Sequence, residues 1–436
     1  MNYYLKKLLL VLPAIILVIL FMIIPAPERL GYGGWMTLLI FLIVIYFWVL
    51  EILPLAVTAI IGVALLLATR AVSFSDALSG FSSSAFFLIL VGFGIAIGLV
   101  VTGLDKRIAC KILCHCSTER SIILGTIIIT AALSMIMSNT TTVILMIPIL
   151  RHLVERTKIN RIALFLAVAF AANIGGVGTV IGSPPNVIAA QAIGLNFIEW
   201  FVIGFPFAIV MLALLFVSFL IYFKLKNKKI KIRVSKLKAM SRKEKWTSLI
   251  ILATVIAWFT SPLHGLSTVT VGLIGTALML VFIYSWKDFQ KYTDWSVVFL
   301  IGGAISLGTA LQATGVAHWL AENVISITGI EHPLLIIFAL VIFSIVFTQF
   351  IQNTATAAMI VPVLIALSSV YGTAINAFVF PVIIGVSMTF LLPPGTAPNA
   401  LVHSETKIRT IDMIKAGILP TIFAFACLFI LSWIML

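Results

Sequence analysis

Two short polar motifs, each present twice, are the residues of this chain best suited to chemistry. Ser138-Asn139-Thr140-Thr141-Thr142 is matched by Gln352-Asn353-Thr354-Ala355-Thr356, and Gly182-Ser183-Pro184-Pro185-Asn186 by Gly395-Thr396-Ala397-Pro398-Asn399. Asn139 and Asn353 lie 214 residues apart and Asn186 and Asn399 lie 213 apart, while Pro148 and Pro362 follow the Asn-Thr pairs at equal distance. The prolines forbid a continuous helical ladder. A helix that stops leaves free N–H groups on one half and free carbonyls on the other. The N–H ends suit an anion, and carbonyl and hydroxyl oxygens suit a hard cation such as Na⁺. No Lys, Arg, His, Asp or Glu lies in any of the four motifs.

The elements that position these motifs are apolar. The chain is 62% hydrophobic and 10% charged, unlike a soluble globular domain, and runs of about 17–25 apolar residues, long enough to span a bilayer, recur throughout. Eleven spans are read: 8–24, 34–51, 54–69, 84–104, 160–190, 200–223, 246–261, 267–284, 295–316, 374–402 and 413–436. The run after Lys6 and Lys7 is long for a signal peptide and reads as a retained first span. Segments 121–150 and 334–370 are interrupted by the Asn-Thr motifs, with flanks too short to cross alone. They read as re-entrant hairpins, whose non-helical tips are tolerated only where they are buried in protein or line a cavity. Cys110, Cys114 and Cys116 around His115 match no standard zinc spacing and read as part of a cytoplasmic-side amphipathic helix.

Charge fixes the orientation. Residues 224–245 carry eleven Lys/Arg and one acid, Glu244, which marks this linker as cytoplasmic. Only Arg29 and Arg70 of the 28 basic residues then fall on the outer side, which instead holds Glu28, Asp76, Glu199, Glu322 and Glu331. The N-terminus is cytoplasmic and the C-terminus outside, in the cell (inner) membrane. The run reads as a solvated anchor that meets anionic lipid, not as a nucleic-acid site. The organisation is a first span and loop (1–33), repeat 1 (34–223, spans 2–6 with hairpin 121–150), the linker (224–245) and repeat 2 (246–436, spans 7–11 with hairpin 334–370). Gly92, Gly94 and Gly98 have partial counterparts in Gly302, Gly303 and Gly308, and Thr102-Gly103 in Thr314-Gly315. Five spans per repeat is odd, so the second copy enters from the opposite face. Inverted repeats of this kind place their site at the midplane, where discontinuous helices end. Small residues also serve as helix packing, which is the reading of Gly94/Gly98 and Gly178/Gly182. Proton relays use titratable side chains inside the membrane. Glu51, His264 and His403 sit at span ends and read as interfacial, so Na⁺ coupling fits better.

Across essentially its whole length the chain resembles the divalent anion/sodium symporter family (the DASS, INDY or SLC13-type carriers). That family carries Ser-Asn-Thr signatures at two hairpin tips and Thr-Pro-Pro-Asn-like loops, matched here by Ser138-Asn139-Thr140, Gln352-Asn353-Thr354, Ser183-Pro184-Pro185-Asn186 and Thr396-Ala397-Pro398-Asn399. The resemblance implies an all-α polytopic homodimer working by an elevator motion on C4-dicarboxylates, citrate or sulfate. It implies that Asn139, Thr140, Asn353 and Thr354 hold the anion, with Ser183, Thr396 and Pro398. One Na⁺ site would use Ser134, Ser138, Asn139 and Gly182, the other Thr348, Ile351, Asn353 and Gly395. Gln352 replaces a serine of the family pattern and Ala397 a proline.

The leading expectation is Na⁺-coupled symport of succinate, malate or fumarate. A sodium-independent dicarboxylate exchanger and a sulfate carrier are alternatives, and an anion channel is the alternative from another class. An enzyme is not expected, since H-E-x-x-H, G-x-S-x-G and P-loop motifs are absent.

Overall fold

The computed structural model describes residues 3–27, 29–157, 159–227, 229–230 and 239–436, without the side chains of residues 3–11 and 156. Residues 231–238 of the basic linker, and also Glu28, therefore lie outside the described residues. One half runs α1 (Tyr3–Ile23), α2 (Tyr32–Val49), α3 (Leu55–Ala68), α4 (Phe74–Leu78), α5 (Ser84–Thr102), α6 (Leu104–Leu113), α7 (Glu119–Ser134), α8 (Asn139–Arg156), α9 (Arg161–Val177), α10 (Pro184–Ile193) and α11 (Phe197–Phe223). The other runs α12 (Arg242–Phe259), α13 (Ser261–His264), α14 (Thr268–Phe282), α15 (Trp286–Tyr292), α16 (Trp295–Ala313), α17 (Val316–Thr328), α18 (Pro333–Phe347), α19 (Asn353–Val370), α20 (Ile375–Ser387), α21 (Ala397–Thr406) and α22 (Thr410–Met435). With α13 set aside, α2 to α11 repeat as α12 to α22.

Six helices among the described residues are long and apolar enough to cross a membrane, or up to eight if each of two bent pairs counts as one. Eleven runs in the sequence become fewer long helices for two reasons. Some apolar helices are short, such as Leu55–Ala68, and the runs 160–190 and 374–402 are each broken in two. The hairpins form at α7/α8 and α18/α19. Each break falls where the motifs stand: α9 ends at Val177 and α20 at Ser387, and Pro184-Pro185 and Pro398 sit in the first turns of α10 and α21. Proline is tolerated there because a first-turn N–H has no helical acceptor to lose.

Contacts between distant segments sort the loops into two faces. Arg107 pairs with Glu244 at 2.6 Å and Arg151 with Glu405 at 3.3 Å. Glu119 accepts from the Asn160 and Lys226 backbone N–H groups. All of these residues belong to the face rich in Lys and Arg. Arg29 instead pairs with Glu322, 293 residues away, at 2.7 Å, and the Tyr371 hydroxyl donates to the Ile330 carbonyl. The first hairpin therefore opens with the basic face and the second with the opposite one.

The duplicated Thr-Gly is a helix stop. Gly103 (φ 73°) and Gly315 (φ 74°) adopt the left-handed conformation, which costs glycine nothing, and turn α5 and α16 into α6 and α17. The amphipathic helix expected around the cysteines is α6, but it ends at Leu113 and holds only Cys110, with Cys114 at its C-cap and Cys116 in the turn that follows. The short helices α4, α15 and α17 carry no apolar run of spanning length and escaped the sequence reading. Gly94 faces Thr276 and Gly98 faces Met279 on α14, so these two are packing glycines.

Candidate functional site

The four motifs meet. One cavity of about 110 Å³ is lined by Ser138, Asn139 and Thr140 at the first tip and by Gln352, Asn353 and Thr354 at the second. Gly182 and Pro184, Ala397 and Pro398, three α5 residues (Ile89, Gly92, Phe93), and Asp294 and Val297 at the start of α16 complete it, with Ile181. Ser183 and Thr396 do not line the cavity. They are buried as the N-cap residues of α10 and α21. Glu51, His264 and His403 lie away from it.

Each tip is a helix N-terminus. Ser138 caps α8, its hydroxyl accepting from the Thr141 N–H at 3.2 Å, while Gln352 makes no side-chain cap for α19. Its amide is therefore left beside the cavity. N–H groups in the first turn of a helix have no acceptor inside it, so Thr140 and Thr354 present backbone donors and partial positive charge to the cavity. No Lys, Arg or His lines it. The Asn353 side chain accepts only from the Thr354 hydroxyl, at 3.5 Å.

The two breaks are held by the same hydrogen bonds in duplicate. Asn186 Nδ2 donates to the Gly176 and Thr179 carbonyls, both at 2.8 Å, and Asn399 Nδ2 donates to those of Thr389 and Leu392, both at 3.1 Å. The acceptors stand ten and seven residues before each asparagine. The asparagine ending each Pro-Asn motif is thus a clamp on carbonyls that the break sets free, and burying those unpaired would cost about 1–3 kcal/mol each. The sequence displays both residues; the clamp needs the fold to be seen. Asn173 of α9 then ties one broken helix to the other, its Nδ2 donating to the Thr389 carbonyl at 2.8 Å and to Asn399 Oδ1 at 3.2 Å. Nothing in the spacing of the sequence pointed to Asn173.

The expected cation ligands also gather, but unequally. The Asn139 amide sits among three oxygens, its Nδ2 donating to Ser134 Oγ at 2.5 Å, to the Gly182 carbonyl at 3.0 Å and to the Ala172 carbonyl at 3.2 Å. Ser134 Oγ in turn donates to the Ala172 carbonyl at 2.8 Å. Carbonyl and hydroxyl oxygens gathered in this way are the kind that suits a hard cation such as Na⁺. Ser138 lies outside this group, with its hydroxyl spent on the cap. Around the second tip, Thr348 Oγ1 donates to the Val386 carbonyl at 2.9 Å and the Gly395 carbonyl accepts the Asn353 N–H at 3.1 Å. Ile351 is buried beside them. Glycine is required in both sets: a Cβ on Gly182 would stand 2.5 Å from the Gly176 carbonyl oxygen and 2.8 Å from that of Ser134, and one on Gly395 2.2 Å from that of Thr348.

A family model described as citrate transporter (CitMHS) matches residues 45–385 and 266–436, which together take in most of the chain and both halves of the site. The chain belongs to the citrate transporter family. It is a membrane transporter, not an enzyme. An uncharacterized transporter of Haemophilus influenzae is 31% identical over 94% of this chain and 92% of its own length. The sodium-dependent dicarboxylate transporters SdcS of Staphylococcus saprophyticus and Staphylococcus aureus are each 30% identical, covering 92% and 90% of this chain and 86% and 84% of their own. In fold, the transporter resembles the solved YdaH transporter of Alcanivorax borkumensis, with a TM-score of 0.57 at 13% identity over 82% of this chain and 86% of that one.

Proposed function

We propose that this transporter couples inward movement of Na⁺ to uptake of a C4-dicarboxylate such as succinate, malate or fumarate. One observation carries the reading: two Asn-Thr helix starts converge on a cavity without a cationic side chain, with buried hydroxyl and carbonyl oxygens of Ser134 and Gly182 beside it. Two carboxylates match two tips. Asn353, Thr354, Asn139 and Thr140 would hold them through amides, hydroxyls and helix N–H groups, with Pro398 closing one wall and Ser183 and Thr396 shaping the helix starts behind. A buried dianion without counter-charge is costly. Na⁺ held by Ser134, Asn139 and Gly182, and a second at Thr348, Ile351, Asn353 and Gly395, would supply that charge. The relatives named as sodium-dependent dicarboxylate transporters favour the same assignment. Labelled succinate and sulfate offered to proteoliposomes separate the substrates: the proposal expects succinate uptake that excess sulfate leaves almost untouched, and sulfate uptake without succinate uptake overturns it.

In this reading residues 34–223 and 246–436 are inverted repeats, the N-terminus and the basic linker are cytoplasmic, and the C-terminus is outside. The protein works as a homodimer in the cell membrane, by an elevator motion. The described conformation then faces the cytoplasm. At the outer end, Gln191 Oε1 of α10 accepts from the Ser84 hydroxyl and, at 3.2 Å, from the Ala85 N–H at the start of α5. At the inner end, the matching start of α16 borders the open cavity, and Ser404 of α21 donates only to the Leu401 carbonyl of its own helix. Gln191→Ala removes two hydrogen bonds worth about 0.5–1.5 kcal/mol each. It should shift the equilibrium about tenfold toward the outward-open form. A cysteine placed at Thr309, which lines a second cavity between α10, α16 and α19, should then react faster with an impermeant thiol reagent outside the cell, in a background lacking the native cysteines. An unchanged labelling rate would contradict the latch.

A further inference from the structure

Asp294 is the one ionisable side chain among those that line the central cavity. It sits at the N-cap of α16, where Oδ1 accepts from the Ser296 and Val297 N–H groups at 3.1 and 3.3 Å. Oδ2 has no hydrogen-bond partner among the described residues, and Asp294 belongs to none of the described ion pairs. A cap needs only an acceptor oxygen, which serine or asparagine supplies as well. Capping therefore does not account for a full negative charge facing a chamber built from neutral donors. The equivalent position at the start of α5 is Ser83, an uncharged cap whose neighbour Ser84 is closed against Gln191.

We infer that Asp294 is a specificity residue that excludes a third carboxylate from the site; this rests on the dicarboxylate reading above. Two carboxylates find the two tips, Asn139-Thr140 and Asn353-Thr354. A third carboxylate of a bound tricarboxylate has no third tip to meet, and the one charged side chain in the lining left to it is Asp294. Each added negative charge meets the Asp294 carboxylate across a space reached by solvent. At ~10 Å and an effective dielectric constant of ~20, one unit of like charge weakens binding by about tenfold. The exclusion acts on charge and not on bulk, so it relaxes in mildly acidic solution, where citrate carries one proton more.

Inhibition of labelled succinate uptake by unlabelled succinate, citrate and tricarballylate in proteoliposomes at slightly alkaline pH tests this. Asp294→Asn keeps the cap and the shape and removes the charge. It should improve inhibition by both tricarboxylates about tenfold relative to inhibition by succinate. Asp294→Ser, a smaller uncharged cap, should do the same, and wild-type protein should approach both variants for citrate at mildly acidic pH. Variants that take up succinate with an unchanged tricarboxylate-to-succinate ratio overturn the exclusion and leave the dicarboxylate reading standing. A wild-type protein that succinate neither enters nor inhibits overturns that reading, and this inference with it.

Discussion

Replacing Asn353 by alanine should abolish succinate uptake while leaving a folded protein. Its side chain makes one hydrogen bond to the protein, accepted from the Thr354 hydroxyl at 3.5 Å, so few native hydrogen bonds depend on it. A hydrogen bond to a charged group contributes about 1.5–3 kcal/mol, or roughly 10- to 100-fold in affinity, and elastic loss of one tip leaves one carboxylate unheld. Asn139→Ala should also abolish uptake, by a different route. Its amide holds Ser134 Oγ and the Gly182 carbonyl, the proposed Na⁺ ligands, so any residual succinate binding should no longer respond to Na⁺. Uptake measured alongside thermal unfolding separates the two cases. Wild-type uptake by either variant would show that the paired tips are not the site.

Gly395→Ala should be as damaging for a steric reason. The new Cβ would lie 2.2 Å from the Thr348 carbonyl oxygen and 2.4 Å from Thr389 Cγ2. Backbone on one side and a buried β-branched residue on the other leave nothing flexible to move aside. The strand of loop carrying the Gly395 carbonyl must shift, and with it the hydrogen bond from the Asn353 N–H that seats the second tip. Overpacking of this kind costs about 1–3 kcal/mol or more, so both unfolding temperature and uptake should fall. Gly31→Ala is the control: a Cβ there meets nothing within 4 Å, and as the N-cap of α2 it should cost no more than about 1 kcal/mol and leave uptake intact. Equal behaviour of the two variants would remove the close-packed second break from the account.

Much of this architecture was legible because the bilayer limits the options. Apolar length marked the membrane segments but counted eleven spans where six to eight of the described helices are long enough to cross, the charge of residues 224–245 gave the basic face, and duplicated motifs with too-short flanks gave the hairpins. Proline placement gave the broken helices. Other features were hidden because they are tertiary. Asn186 and Asn399 were visible as motif residues, but their role as carbonyl clamps depends on where a freed carbonyl lies ten residues earlier. Asn173 stands in a plain helical stretch and acquires its role only because α9 packs against the α20–α21 break. Asp294 reads as an ordinary helix start, and no local signal tells that this start lines the same cavity as both tips. Ser183 and Thr396 were expected in the site and lie outside the cavity lining, buried at the starts of α10 and α21, where the Thr396 hydroxyl accepts from the Asn399 N–H. The second motif's departures also acquire a physical sense. Gln352 gives up the cap that Ser138 makes and leaves a longer amide at the cavity, so the two halves of the site are chemically unequal.

The central claim is that a cavity of neutral ligands holds a dianion together with Na⁺. Accumulation of labelled succinate in proteoliposomes tests it most directly, comparing an inward Na⁺ gradient with an equal K⁺ gradient and no internal dicarboxylate. Concentrative uptake is expected with Na⁺, near-background uptake with K⁺, and loss of the Na⁺ response in Asn139→Ala. Succinate accumulation that ignores Na⁺ and requires internal dicarboxylate would contradict it.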